Sequence, residues 1–155
     1  MEYFYEYDTI LGRMVIVEED NYITKLFVIT DGYVGDLKQE TPLIKDTYNQ
    51  IEEYFKGKRK SFDIPLKPNG TNFQRSVWNA LLKIPFGQTV TYKEIAIMVG
   101  NDKACRAVGN ANNKNPIMIV IPCHRVIGSN QKLVGYALGI EMKEQLLSLE
   151  YKFSN

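Results

Sequence analysis

The fold of the second half of the chain is decided by residues 91–112, which read TYKEIAIMVGNDKACRAVGNAN. The segment Thr91–Glu94 has the spacing of a capping box, so a helix begins there, and Gly100 ends it. The pair Asn101-Asp102 caps a further helix, predicted over Lys103–Asn112. Two short helices joined by a glycine-containing turn form a helix-turn-helix pattern, which also occurs in small helical domains that do not touch DNA.

The second helix of this pair is rich in small side chains, and Arg106 is its long basic residue besides Lys103. Such a helix can pack tightly against another helix of the domain. It can also approach the groove of a nucleic acid, with Arg106 projecting from the approaching face. The sequence leaves both readings open. The small residues are Ala104, Ala107, Val108, Gly109 and Ala111, and the asparagines at the helix end, which can cap carbonyls or reach phosphates, are Asn110, Asn112 and Asn113.

A preceding helix opens with a second capping box, Thr71–Gln74, and is ended by Ile84–Gly87. The apolar faces predicted to be buried consist of Phe73, Val77, Trp78 and Leu81 in this helix, and of Ile95, Met98 and Val99 in the first helix of the pair.

The first half of the chain has a different pattern. Tyrosines alternate with other residues over 2–7, and two β-branched runs, Met14–Val17 and Ile23–Ile29, flank a polar break that suits a hairpin. A helix then begins, with Thr41 as its N-cap and Pro42 at its first helical position. We therefore predict an α/β domain over residues 1–66, with a small antiparallel sheet plus a helix. The stretch Lys56–Asn69 is interpreted as a linker to an all-α helix-turn-helix domain over residues 70–155.

Composition excludes several classes of protein. The chain has 155 residues, of which 45% are hydrophobic and 24% charged, as is typical of globular proteins. No run of about 18 apolar residues and no signal peptide is recognised, so a cytoplasmic protein that does not bind a membrane is expected. Two cysteines and one histidine argue against a disulfide framework and against a four-ligand zinc site, and no metal ligands are predicted.

Charge is distributed unevenly along the chain. Residues 1–70 hold 9 Lys and Arg against 13 Asp and Glu, whereas residues 71–140 hold 8 against 2. A basic second half indicates that only this half faces a polyanion. Chance partition of solvated surface charges is the alternative.

The segment Pro122-Cys123-His124-Arg125-Val126 carries the chemistry. An apolar run precedes it, and it places a cysteine next to the only histidine of the chain. A neighbouring imidazole and guanidinium are what lower the pKa of a thiol, so Cys123 is a candidate nucleophile. Cys105 has no such neighbour and is interpreted as a small buried hydrophobic residue.

The histidine needs a carboxylate to orient it. Adjacent residues of an extended chain point to opposite sides, so we expect a water rather than a direct bond between Cys123 and His124. Glu150 extends a largely apolar helical stripe with Lys143, Leu146 and Leu147, and it is either the buried partner of His124 or a solvated helix end.

The five-residue segment resembles the active-site motif of the O6-alkylguanine-DNA alkyltransferases, and the similarity covers nearly all of residues 71–150. The further segments that carry it are Ile84–Gln88, Thr91-Tyr92, Arg106–Gly109, Asn115-Pro116, Gly135-Tyr136, Lys143 and Leu146-Leu147. Residues 1–66 resemble the family's N-terminal domain, which is ribonuclease H-like, only in outline. The resemblance implies a winged-helix-like second domain that binds DNA and accepts the alkyl group.

The resemblance also implies roles for individual residues. Cys123 would accept the alkyl group irreversibly from O6-alkylguanine, and from O4-alkylthymine, in a single turnover. His124, Glu150 and a water would form the relay that yields the thiolate, and Asn115 would brace the active-site turn. Tyr92 would help to flip the nucleotide and protonate the departing guanine.

Further residues are implied in DNA binding and in the substrate pocket. Arg106 would be the finger that fills the vacated stack, with the recognition helix in the minor groove of double-stranded DNA. The protein would act as a monomer without a cofactor. The residues expected to contact DNA are Tyr92, Ala104, Arg106, Ala107 and Arg125; those expected to line the pocket are Val126, Tyr136, Ala137 and Leu138, with the carbonyls of Cys123 and Val126 accepting from the guanine amine.

The sequence departs from the family pattern near the pocket. Ala137 stands where relatives often have serine or arginine, and Leu138 stands where many have glycine, so bulky alkyl groups are expected to fit poorly. Two other functions stay open at this point. One is a thiol hydrolase that uses Cys123, His124 and Glu150 repeatedly. The other is a helix-turn-helix binding protein in which Cys123 is structural.

Overall fold

The structure is a computed structural model that describes residues 1–129 and 139–154. It divides into two compact units. The first consists of Met1–Asn69 with Pro116–Met118, and the second of Gly70–Asn115 with Ile119–Asn155. Tyr136, Ala137 and Leu138, which were expected to line a substrate pocket, lie outside the described residues.

The first unit is built on a four-stranded sheet with the strand order β3-β2-β1-β4. The first three strands are antiparallel neighbours, as predicted. The fourth pairs parallel with β1, so the sheet is mixed and not antiparallel throughout. This strand has two residues, too few to show any periodicity in the sequence. The bounds are β1 Glu2–Thr9, β2 Gly12–Glu19, β3 Tyr22–Ile29 and β4 Leu37–Lys38.

The predicted hairpin and helix of this unit are present. Asp20 and Asn21 join β2 to β3 with φ of 53° and 68°, the left-handed values that a tight two-residue hairpin loop requires. The helix α1 covers Pro42–Phe55, and the Thr41 hydroxyl caps it by accepting from the Ile44 amide at 3.1 Å.

The segment predicted as a linker, 56–69, is partly docked on the sheet. The Ile23 amide donates to the carbonyl of Pro65 at 2.9 Å, and the Lys67 amide donates to the carbonyl of Ile23 at 3.0 Å. Residues 116–118 return to the same sheet, where the Leu26 amide donates a hydrogen bond to the carbonyl of Pro116 at 2.8 Å. Both contacts join residues distant in sequence, so local patterns could not predict them.

The second unit is mainly helical. Its helices are α2 Asn72–Leu81, α3 Tyr92–Met98, α4 Cys105–Asn113 and α5 Ile140–Phe153, with a 3₁₀ turn at Cys123–Arg125. Two short strands, β5 Val90–Thr91 and β6 Val126–Ile127, pair in parallel and bring the end of the 3₁₀ turn beside the start of α3. No helix in the part of the chain that the structure describes is long and apolar enough to cross a membrane.

Helix α2 has the predicted capping box at Thr71, and α3, the first helix of the helix-turn-helix pair, has the one at Thr91. The second helix of the pair begins at Cys105 instead of Lys103, because the Asn101 side chain accepts from the Lys103 amide and closes a turn before the helix. Met98, predicted to face inward, is 47% exposed, since the short helix α3 ends there. Phe73 is half-buried.

Candidate active site

The predicted nucleophile lies in a tight turn. Cys123 is 4% exposed and opens the 3₁₀ turn, in which the Arg125 amide donates to the carbonyl of Pro122 at 3.0 Å. The expectation of an extended chain here is wrong. An extended chain would send His124 and Arg125 to opposite faces, whereas the turn directs both toward Glu150.

The backbone just before the turn is strained. Ile119 has φ of 72° and is fully buried. A β-branched residue in this left-handed region costs about 1–3 kcal/mol, which the surrounding packing has to offset. Asn115 secures the following residues, since its Nδ2 donates to the carbonyl of Ile121 at 2.7 Å. The predicted bracing role of Asn115 thus has a specific contact.

His124 and Glu150 form a buried pair. Nε2 of His124 lies 2.6 Å from Oε2 of Glu150, and the two side chains are 0% and 1% exposed. A carboxylate accepts, so this contact assigns the proton to Nε2 and leaves Nδ1 as a lone pair. Among the described residues Nδ1 has no hydrogen-bond partner. The imidazole is therefore held in the tautomer that can take a proton from a thiol.

Glu150 accepts from several donors besides His124. Arg125 binds it through both Nε and Nη2, at 2.8 and 2.9 Å, and the amide of Gly87 donates to Oε1 at 3.0 Å. Burial alone would raise the pKa of Glu150, but the hydrogen bonds and charges of His124 and Arg125 lower it to about 2. Glu150 is ionised at neutral pH.

The pKa of His124 is lowered. Burial disfavours the imidazolium and is the largest cause, and the charges of Arg125 and Lys143 act in the same direction. Hydrogen bonding to Glu150 and its charge oppose them. The resting histidine is neutral at neutral pH, as a proton acceptor must be.

Arg125 was expected to contact DNA, but the structure places it in the interior. It is 6% exposed, and its Nη1 donates to the carbonyl of Ile84 at 2.7 Å while its guanidinium lies 5.8 Å from the centre of the Phe86 ring. The segment 84–87 thus supplies contacts for Arg125 and, through Gly87, for Glu150. Gly87 has φ of 80°, and a Cβ at this position would overlap the side chain of Ser154. Both facts explain why the residue is glycine.

Lys143 is a site residue that the sequence reasoning did not assign. It is fully buried in α5, and its Nζ lies 5.8 Å from the centre of the Tyr92 ring. Burial lowers its pKa to about 8, while the nearby Cys123 opposes that change. Burial and Cys123 both raise the pKa of the Tyr92 hydroxyl. A lysine inside the apolar stripe of α5 was the signal for this cluster.

Helix α4 has two distinct faces. Val108 and Ala111 are buried. Gly109 faces the Tyr92 ring, and a Cβ added at Gly109 would lie 3.9 Å from the nearest ring atom, which is ordinary van der Waals contact. The buried small residues pack inside the domain, and approach of the exposed ones to a nucleic acid stays a prediction. The exposed residues are Cys105, Arg106, Ala107 and Asn110, and Ala104 is half-buried. The expectation that Cys105 is buried is therefore wrong.

The remaining predicted positions are partly described. Val126 is fully buried in β6, directly after the 3₁₀ turn. Within residues 1–129 and 139–154, no group of three or more His, Cys, Asp or Glu side chains is arranged to hold a metal ion.

Comparison with known proteins identifies the family. Residues 3–68 match the ribonuclease-like domain of 6-O-methylguanine DNA methyltransferase, and residues 72–152 match its DNA-binding domain. The chain belongs to this family. A family member from Bacillus subtilis, the constitutive methylated-DNA–protein-cysteine methyltransferase, is 45% identical, and the match covers 97% of this chain and 96% of the relative.

Solved structures of the family agree in fold. The O6-methylguanine methyltransferase of Mycobacterium tuberculosis superposes with a TM-score of 0.91 at 38% identity, covering 100% of this chain and 96% of that one. A structure of the Mycobacterium tuberculosis protein in complex with DNA matches with the same score and covers 97% and 94%.

Proposed function

We propose that this family member repairs DNA by transferring the alkyl group of O6-alkylguanine to the sulfur of Cys123. The observation that carries the proposal is the buried His124–Glu150 pair directly beside Cys123, with the lone pair of Nδ1 available. The activity named for the Bacillus subtilis relative and the DNA complex of the mycobacterial relative support it. The same site would accept O4-alkylthymine.

The first chemical step forms the thiolate. The Cys123 thiol gives its proton to Nδ1 of His124 through a bridging water, and Glu150 stabilises the resulting imidazolium through Nε2. Lys143 adds a positive charge near the sulfur. The pair needs no metal and no organic cofactor for this step.

The second step is displacement at the alkyl carbon. The thiolate forms a carbon–sulfur bond as the bond between carbon and O6 breaks, and its electrons pass into the purine. The Tyr92 hydroxyl donates a proton at N3, so that guanine leaves as a neutral molecule. The product is a thioether, a very poor leaving group. Each chain therefore reacts once.

Access to the lesion requires base flipping, because the O6-alkyl group of a stacked base cannot be attacked in line. The exposed face of α4 would enter the minor groove, where Ala104 and Ala107 permit close approach and Arg106 fills the vacated position. Val126 would line the pocket together with Tyr136, Ala137 and Leu138. The protein would act as a monomer.

Intact-mass measurement tests the proposal. The protein is incubated with duplex DNA containing O6-methylguanine, and with the same duplex containing guanine as the control. One added methyl group per chain, found on Cys123 by peptide mapping, is the expected result. Repeated turnover without a lasting adduct would indicate a thiol hydrolase, and an unchanged mass would indicate a protein that only binds DNA.

A further inference from the structure

Asn112 reaches the acceptor turn from the end of helix α4. It lies in the last turn of α4, is 1% exposed, and donates from Nδ2 to the backbone carbonyl of Cys123 at 3.3 Å. The helix end is fixed independently, since Nε1 of Trp78 donates to the carbonyl of Ala111 at 2.9 Å. The Asn112 side chain thus extends from an anchored backbone.

The carbonyl of Cys123 accepts a second hydrogen bond, from the backbone amide of Val126. A carbonyl oxygen has two lone pairs, so these two donors together fix its direction. They also occupy both acceptor positions, so the expectation that this carbonyl accepts from the guanine amine does not fit the structure. The peptide group that contains this carbonyl is planar and includes the Cα of Cys123. Fixing its orientation therefore restricts where the Cα of Cys123, and with it the side chain that carries the sulfur, lies relative to His124.

The other polar atom of the Asn112 amide is unsatisfied. Its Oδ1 is buried without a hydrogen-bond partner in the described part of the chain. A buried acceptor left without a partner costs free energy, and leucine, which has a similar shape, would avoid that cost. Asparagine is therefore a poor choice for packing alone. What it supplies, and leucine does not, is the bond to Cys123.

We infer that Asn112 is a positioning residue for the alkyl acceptor, holding the Cys123 carbonyl so that the thiol is aligned with the His124 relay. The inference rests on the proposed function of Cys123. It adds a residue whose hydrogen bond is to the backbone carbonyl of Cys123. Misplacement of a reacting group by about 1 Å can slow a reaction by two orders of magnitude.

The test compares Asn112→Leu with Asn113→Leu. Asn113 is the matched control because its Oδ1 is also buried without a partner, at the next position of the same helix, and no described contact joins it to the acceptor turn. Three quantities are measured for each variant: the rate of methyl transfer from duplex DNA, the pH profile of Cys123 alkylation by iodoacetamide, and the urea midpoint of unfolding. Peptide mapping separates Cys123 from the exposed Cys105.

Asn112→Leu should unfold at the same or a higher urea concentration, transfer at least about tenfold more slowly, and show an alkylation profile displaced to higher pH. Asn113→Leu should keep the wild-type rate and profile. A wild-type rate and profile in Asn112→Leu would overturn the inference, as would equal losses in both variants. If Asn112→Leu unfolds more easily, Asn112→Met is measured instead, and an undisplaced profile there also overturns it.

The alkylation experiment separates this inference from the proposed function. Iodoacetamide reacts with the thiolate in the absence of DNA, so the displaced profile is expected whether or not the protein acts on alkylated DNA. Failure of the wild-type protein to gain a methyl group would reject the proposed function alone. A normal gain of methyl with no effect of Asn112→Leu would reject the positioning role alone.

Discussion

Arg125 binds Glu150 through two parallel hydrogen bonds, at 2.8 and 2.9 Å, in the interior of the second unit. This bidentate pair, together with His124 and the Gly87 amide, occupies the oxygens of a carboxylate that burial would otherwise protonate. The motif that presents the nucleophile therefore also supplies a partner that keeps the carboxylate of the relay ionised.

Arg125→Lys should destabilise the protein because lysine keeps the charge but cannot form the bidentate contact. Breaking a buried ion pair costs about 3–5 kcal/mol when one partner is removed, and we expect a smaller loss, about 2 kcal/mol, when the charge is kept. Urea denaturation measures this loss in the free energy of unfolding. Arg75→Lys is the control, since Arg75 forms exposed hydrogen bonds to Gly70 and Asn72. Equal stabilities of the two variants, with weaker DNA binding by Arg125→Lys alone, would restore the DNA-contact interpretation.

Glu150→Gln should slow methyl transfer by about 100-fold or more, because the amide preserves the shape but no longer stabilises the imidazolium. Stability should change with pH as well. In the folded protein the pKa of Glu150 is about 2, against 4.5 for an ordinary glutamate, so below pH 4.5 the unfolded chain binds the extra proton.

The contribution of Glu150 to the free energy of unfolding of the wild-type protein is therefore fully present above about pH 4.5, and it is lost as the pH falls toward 2. Glu150→Gln should lack this component and show a flatter acid limb in thermal melts recorded between those values. An unchanged transfer rate and an unchanged acid limb would mean that Glu150 serves only the fold.

Much of the fold could be predicted from local signals. The capping boxes at Thr71 and Thr91 are contacts between residues three apart, and a local pattern specifies them fully. The two-residue strand β4 and the start of α4 could not be predicted, because pairing and turn closure decide them instead of periodicity.

The candidate site was predicted only in part, because several of its contacts join residues that are distant in sequence. The sequence left Glu150 as either the buried partner of His124 or a solvated helix end, and the family resemblance implied the pairing. Arg125 was expected to contact DNA, but it is buried. Its burial depends on Glu150 and on the carbonyl of Ile84, which lie 25 and 41 residues away. Asn112 was noted only as one of three asparagines, and its bond to Cys123 exists only in the folded chain.

Cys123 should be the sole alkyl acceptor. Cys123→Ser should retain DNA affinity and lose transfer, because a hydroxyl is far less acidic than a thiol. Cys105→Ala should transfer at the wild-type rate, since Cys105 is exposed on α4 and distant in sequence from the relay. The measurement is peptide mapping after incubation with DNA that carries a labelled methyl group. Label on Cys105 would contradict the assignment.

Lys143→Met should raise stability at neutral pH and slow transfer. Burial lowers the pKa of Lys143 from 10.5 to about 8, so at pH 7 the folded protein bears the cost of a buried ammonium. That cost falls as the pH rises from 8 to 10.5, where the unfolded chain binds the extra proton.

The stability advantage of Lys143→Met should accordingly be largest at pH 7 and diminish toward pH 10.5 in urea titrations. Transfer should be slower at pH 7 because the positive charge near the Cys123 sulfur is lost. Lys152→Met, at an exposed position of the same helix, is the control and should change neither quantity. Faster transfer by Lys143→Met would show that the charge does not assist the thiolate.

Arg106 should act on the duplex and leave the chemistry of transfer untouched. It lies on the exposed face of α4, and unstacking a base costs a few kcal/mol, which a side chain filling the gap partly offsets. The planar guanidinium can also hydrogen-bond the orphaned base, whereas a phosphate contact needs only a positive charge.

The substitution that keeps the charge therefore separates the two roles. If Arg106 is a finger, Arg106→Lys and Arg106→Ala should both transfer markedly more slowly from duplex DNA. If it contacts a phosphate, Arg106→Lys should keep most of the rate. Transfer from the free base O6-methylguanine, where no flipping is needed, should be almost unchanged in both variants. Parallel losses with duplex and free base would instead assign Arg106 to the support of the pocket or the fold.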